Sequence, residues 1–152
     1  VMRYRPQALL TLAYEGGHPD HDSCSFLASR LARGSSLPAW EMPLYFRRSD
    51  GAALCQEFRN LNGTELSFEP MAEERSAKHA MLAAYASQGE VLKQFSQAIE
   101  WFRPQAAYDY SRPPHEGVLN YEAWGWPIKG SEVSAAFTNF LQSAELAPAT
   151  RP

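Results

Sequence analysis

Residues 8–22 read Ala8-Leu9-Leu10-Thr11-Leu12-Ala13-Tyr14-Glu15-Gly16-Gly17-His18-Pro19-Asp20-His21-Asp22, and this stretch decides the fold class. Its first seven residues are apolar almost throughout. They are bounded by Pro6 and by Gly16-Gly17, the pattern of a short buried strand. The two glycines permit a sharp turn and a close backbone approach. Beyond the polar loop, Cys24, Leu27, Ala28 and Leu31 recur at i, i+3, i+4 and i+7, which predicts one apolar helix face. Asp20 or Asp22 is placed to cap the start of that helix, and Gly34 its end. Strand, polar loop, helix is an α/β opening.

Downstream, Met42, Leu44 and Phe46 alternate with Pro43, Tyr45 and Arg47, a strand pattern with proline near its beginning. Ser49-Asp50-Gly51 reads as a turn, and a second strand follows through Leu54 to Phe58. Asn62-Gly63 is a strong hairpin signal, with Thr64 to Phe68 as the returning strand. Residues 41–68 are therefore predicted to form an antiparallel meander of two to three strands. Residues 71–102 are predicted helical. Met71, Lys78, Met81, Leu82 and Tyr85 lie in a stretch rich in Ala and Glu. After Gly89, a second stripe of Val91, Leu92, Phe95, Ala98, Ile99 and Phe102 runs up to Pro104, where it stops. Residues 105–127 hold five of the eleven Tyr and Trp residues and read as irregular but packed. Residues 131–143 predict a last helix through Val133, Phe137, Phe140 and Leu141.

The whole chain, residues 1–152, is the size of one domain and long enough for its own core. It carries 14 Lys and Arg against 17 Asp and Glu, a net charge of −3, which excludes a strongly basic nucleic-acid binder. No apolar run reaches the roughly 20 residues of a membrane span. Two cysteines, Cys24 and Cys55, make neither a disulfide framework nor a four-cysteine zinc site, and a reducing, cytoplasmic setting is expected. Cys24 reads as a small core residue of the helix and Cys55 as a strand residue.

Chemistry concentrates between Gly17 and Asp22, at the carboxyl end of the first strand, where open α/β sheets bind ligands. Two of the four histidines sit there. His and Asp are zinc ligands, and a catalytic zinc typically takes three protein ligands and a water. The positive end of the helix dipole near His21 favours a neutral imidazole, the form that binds metal. The plain alternative is a solvated loop with aspartate caps. His79 reads as a helix residue without a site role, and His115 is undecided. Trp124 and Trp126 suit stacking on a pyranose ring, or closing a core edge. Arg47, Arg48 and Arg59 suit a phosphate or carboxylate, or a solvated strand face.

Tyr14 to Asp22, with its Gly-His-Pro-Asp-His centre, resembles the second signature of the PIG-L (LmbE-like) deacetylases. Lys78 with Met81-Leu82-Ala83-Ala84-Tyr85-Ala86-Ser87-Gln88 is similar to a later helix of that family. Tyr108-Asp109-Tyr110-Ser111-Arg112-Pro113-Pro114-His115 and Tyr121-Glu122-Ala123-Trp124-Gly125-Trp126 resemble the tail of bacterial members. The resemblance implies part of a Rossmann-like layered fold. It also implies a zinc-dependent hydrolase that removes the acetyl group from an N-acetylglucosamine-type amino sugar or conjugate. By the same resemblance His21 is a zinc ligand. His18 stabilises the oxyanion or protonates the leaving amine, and Asp20 orients and charges His18. The family's first signature, Ala-His-Pro-Asp-Asp-Glu, which supplies two zinc ligands and the base, does not occur in this sequence. The chain is therefore expected to be the carboxyl-terminal portion of such a domain, inactive in isolation, an expectation that agrees with its beginning at Val1. A non-catalytic sugar- or partner-binding module that keeps the fold is the alternative. A homo-oligomer covering the apolar first strand is a further expectation.

Overall fold

The computed structural model describes residues 4–146, the last three by backbone alone; Val1 lies outside them. The opening stretch folds as strand β1 (Leu9–Leu12), a loop, and helix α1 (Pro19–Ser35). Proline occupies the first turn of α1, where its missing N–H costs nothing. The caps differ from expectation. His18, extended at φ −148°, is the N-cap, and its ring accepts the Asp20 N–H. Gly34 lies inside the helix, which closes at Ser36 in the left-handed region at φ 54°, its N–H donating to Ala32 O. Strand β2 (Ala39–Met42) then returns parallel to β1, with Leu9 opposite Ala39 and Thr11 opposite Glu41. The opening is thus a βαβ unit.

The meander over 41–68 is replaced by two separate pairings. Strands β3 (Tyr45–Arg47) and β4 (Ala53–Cys55) form an antiparallel hairpin across Ser49–Gly51. Strand β5 (Leu66–Phe68) pairs instead with β6 (Glu100–Pro104), also antiparallel. Asn62-Gly63 does turn the chain, but the turn is closed locally. The Asn62 Oδ1 accepts from Thr64 N, and the Glu65 carboxylate accepts from Asn62 N and Gly63 N. The result is a mixed four-stranded sheet of order β1-β2-β6-β5 and a small two-stranded sheet β3-β4.

Residues 71–102 are only partly helical. Helix α2 (Ala72–Ala83) and the single turn α3 (Gly89–Leu92) are joined by a tight turn, and the stripe expected to run as helix to Phe102 ends in β6. Pairing of Glu41 with Arg103 and of Ser67 with Trp101 overrides the local periodicity. No residue of α2 or α3 is buried. Helix α4 (Asn120–Ala123) and helix α5 (Gly130–Leu146) complete the chain, the latter spanning the segment expected to be helical.

The core is aromatic. Tyr14, Phe26, Tyr110, Leu119, Tyr121, Val133 and Phe137 form one buried cluster, and Phe26 stacks on Phe137 at 4.5 Å between ring centroids. Phe26 reaches it from the side of α1 that also buries Asp22 and Ser25. The expected core face of α1 is therefore turned outward: Cys24, Leu27 and Leu31 are exposed. Polarity misleads here because Ser25 bonds Tyr110 Oη at 3.0 Å and Asp22 braces the preceding loop, so both are needed inside.

The sheet carries a buried ion network. Arg103 donates from Nε to Glu41 Oε1 at 2.7 Å and from Nη1 to Glu65 Oε1 at 3.0 Å. Tyr108 Oη donates to the same Glu41 oxygen at 2.7 Å, and the guanidinium lies 4.0 Å from the Phe58 ring centroid. Burial pushes the Tyr108 phenol well above its ordinary range, with the Glu41 charge adding to it, so it remains a donor. Among the described residues no helix is long and apolar enough to cross a membrane.

Candidate functional site

The loop from Tyr14 to His18 is fixed by two buried carboxylates: Asp22, expected as a helix cap, and Glu15, which the sequence reading passed over. Asp22 Oδ1 accepts from Gly16 N at 3.1 Å and from Glu15 N at 3.3 Å. Glu15 Oε1 accepts from Leu44 N at 2.7 Å and Tyr45 N at 2.9 Å, tying the loop to the start of β3. Burial pushes the Glu15 carboxyl up to about 8 and the Asp22 carboxyl to about 7, against the lowering pull of these backbone donors. A signal was present: Glu15 stands directly between the apolar run 8–14 and Gly16-Gly17.

The glycines permit the approach. A Cβ on Gly17 would collide with the Tyr45 carbonyl oxygen and lie 2.8 Å from its ring, so only glycine lets β3 pass this close. Gly16, at φ +74°, would place a Cβ 2.7 Å from Leu119 Cδ2. Its carbonyl accepts from Asn120 N at 3.0 Å, which ties the loop to α4 as well.

These ties bring five rings into a closed circuit. His18 and His21 lie 4.9 Å apart between centroids, and His21 meets Tyr45 edge-on at 5.5 Å. Tyr45 is 6.0 Å from Trp124, Trp124 is 5.6 Å from Trp126, and Trp126 returns to His18 at 4.9 Å with perpendicular planes. Gly125, at φ +76°, turns the chain so that Trp126 N donates back to Tyr121 O at 3.1 Å. Tyr121 is fully buried, which anchors the indoles.

His18 has an assigned tautomer. Its Nδ1 accepts the Asp20 backbone N–H at 3.1 Å, so a neutral ring carries its proton on Nε2. The Asp20 carboxylate lies 3.9 Å from Nδ1, and its side chain is 86% exposed. Asp20 thus orients His18 through its backbone rather than by a carboxylate bond to an imidazole N–H. His21 sits in the first turn of α1. Burial lowers it to about 4, with His18 adding to the effect and Asp20 opposing it, so its imidazole is neutral. Desolvation is the main reason.

His79 is exposed on α2, and Lys78 is occupied by Glu100 at 2.7 Å. His115 Nε2 is buried beside Gly16, on the loop rather than in the ring circuit. Arg48 pairs with Asp50 at 2.9 Å, both half exposed.

A neutral, half-buried His21 suits a metal ligand. The set around it does not complete a site. His18 uses Nδ1 as a cap, and among the described residues no group of three or more His, Cys, Asp or Glu is placed to hold a metal ion. Three protein donors are the usual minimum for a catalytic zinc, so the residues present do not by themselves fit one. No family model, no characterised protein and no solved structure matches the chain. The functional reading therefore rests on the residues themselves.

Proposed function

We propose that this chain carries the histidine side of a zinc-dependent hydrolase site that removes an acetyl group from an N-acetylglucosamine-type amino sugar or conjugate. In this reading the βαβ start belongs to a Rossmann-like layered fold of the LmbE kind. His21, beside His18, offers one zinc ligand in this reading. The chemistry assignable to this chain is that of its own groups. His18 presents Nε2–H as a hydrogen-bond donor for the oxyanion of a tetrahedral intermediate. The single observation that carries the reading is the Nδ1 cap, which leaves the proton on Nε2 and fixes the ring before any substrate arrives. Asp20 serves that role through its backbone N–H.

The test uses the protein purified from its native source, supplied with zinc and assayed for acetate release from N-acetylglucosamine conjugates. His18→Asn keeps a capping oxygen but loses the Nε2 donor. It is expected to keep its zinc and to lose kcat by roughly 10²–10³. His21→Ala is expected to lose zinc. Absence of acetate release from every N-acetyl amino sugar offered, or a His18→Asn protein that arrives empty of zinc, overturns the assignment.

A further inference from the structure

We propose that Trp124 and Trp126 form a sugar-ring platform that seats the pyranose of the substrate against His18, an inference that rests on the hydrolase reading for the identity of the ligand. The ring circuit carries it. Trp126 touches His18, Trp124 touches Tyr45, and the two indoles touch one another, so a ligand lying on them lies beside His18. Trp124 is 51% exposed and Trp126 39%. Two large indoles left this open on a mobile loop would be unremarkable surface. Here their backbone is held hard. Asn120 and Tyr121 are buried beneath them, and Glu122 accepts from Leu119 N at 3.2 Å and from Gly130 N at 2.9 Å, tying α4 to the start of α5.

The chemistry fits a neutral ring with one apolar face. The axial C–H bonds of a hexopyranose carry slight positive charge and pack on the electron-rich face of an indole. Its hydroxyl groups stay at the rim, in water. Tyr45 remains a neutral phenol, burial pushing it up to about 12. A ring seated on the indoles can direct its acetylamino group toward the Nε2–H of His18. Trp124 and Trp126 are therefore positioning residues rather than catalytic ones.

The experiment titrates the full chain with N-acetylglucosamine and follows the indole N–H signals of its four tryptophans by ¹⁵N NMR. Trp124 and Trp126 should shift together, while Trp40 and Trp101 stay in place. Trp126→Ala should weaken binding at least about tenfold, a loss of the size seen when one stacking partner is removed. Trp126→Phe should recover most of it, and Trp101→Phe should change nothing. Tetramethylammonium serves as the cationic probe. If it shifts the two indoles and the sugar does not, the platform is a cation site and the proposal fails. It fails equally if N-acetylglucosamine moves neither indole, or if Trp126→Ala binds like the parent. The two readings separate cleanly. Sugar binding that survives in His18→Asn without acetate release leaves the platform standing and removes the hydrolase. Acetate release with an unchanged KM in Trp126→Ala does the reverse.

Discussion

At the scale of single residues, His18 does two things with one ring. As N-cap it satisfies an N–H of the first helical turn, and the same ring packs against His21 and Trp126. The two are separable. His18→Ala should cost about 1 kcal/mol of stability, the usual effect of losing a cap, and His18→Asn should restore it. Urea midpoints of the three proteins check this without any substrate. Glu15 gives a pH signature. Its carboxyl lies at about 8 in the folded chain, above its ordinary 4.5, because it is buried. The folded state therefore holds the extra proton between these values, and stability is lost as pH rises through that window. Glu15→Gln keeps an oxygen for Leu44 N and Tyr45 N but cannot ionise. The parent should fall behind this variant by roughly 1 kcal/mol per pH unit between pH 5 and 8. Parallel denaturation curves at both pH values measure it. An equal pH dependence in both proteins would overturn the buried-carboxyl account.

At the scale of elements, the opening βαβ unit was half legible. The first strand, the loop and the helix were readable because Pro6, Gly16-Gly17 and Pro19 punctuate them. The helix's inward face was not, since Asp22 and Ser25 are buried for their hydrogen bonds and Leu27 and Leu31 are left outside. β6 was unreadable for a different reason. Its apolar residues fit a helical stripe, and only pairing with Glu41, 62 positions away, makes it a strand. Of the site, His18 and His21 stood out in the sequence. Tyr45 did not, because nothing local announces that Gly17 will let β3 lie on the loop. Arg103 holds β6 in place, and truncating it strands the Glu41 carboxylate in the sheet. Arg103→Ala should cost about 3–5 kcal/mol, whereas Arg103 and Glu41 replaced together by Met and Leu should cost much less. Chemical denaturation of the single and double variants distinguishes the pair from ordinary packing.

At the scale of the whole molecule, the structure divides into a dense part and a thin one. Loop 14–18, α1, α4 and α5 meet in one aromatic core, while α2 and α3 bury nothing and are tethered by Lys78 to Glu100 and Gln56 to Ser96. Amide exchange should be slow in α1 and around Val133 to Phe137 of α5, and fast from Ala72 to Leu92. Equal protection in both regions would contradict this division. The sheet ends at β1, whose outer edge has no strand partner among the described residues and whose Leu10 is 60% exposed. That edge is where an expected second copy, or any added strand, has backbone groups to bond.

The excursion between β2 and β6 has a practical consequence. Loop closure grows only logarithmically with length, so doubling a connection adds about 0.6 kcal/mol. The turn at Ala84–Gln88 is exposed and lies far along the chain from the histidine loop. A fluorescent domain or affinity handle spliced in at that turn would leave the sheet, the ion network and the ring circuit undisturbed. The chain thus carries its own attachment point on an exposed turn.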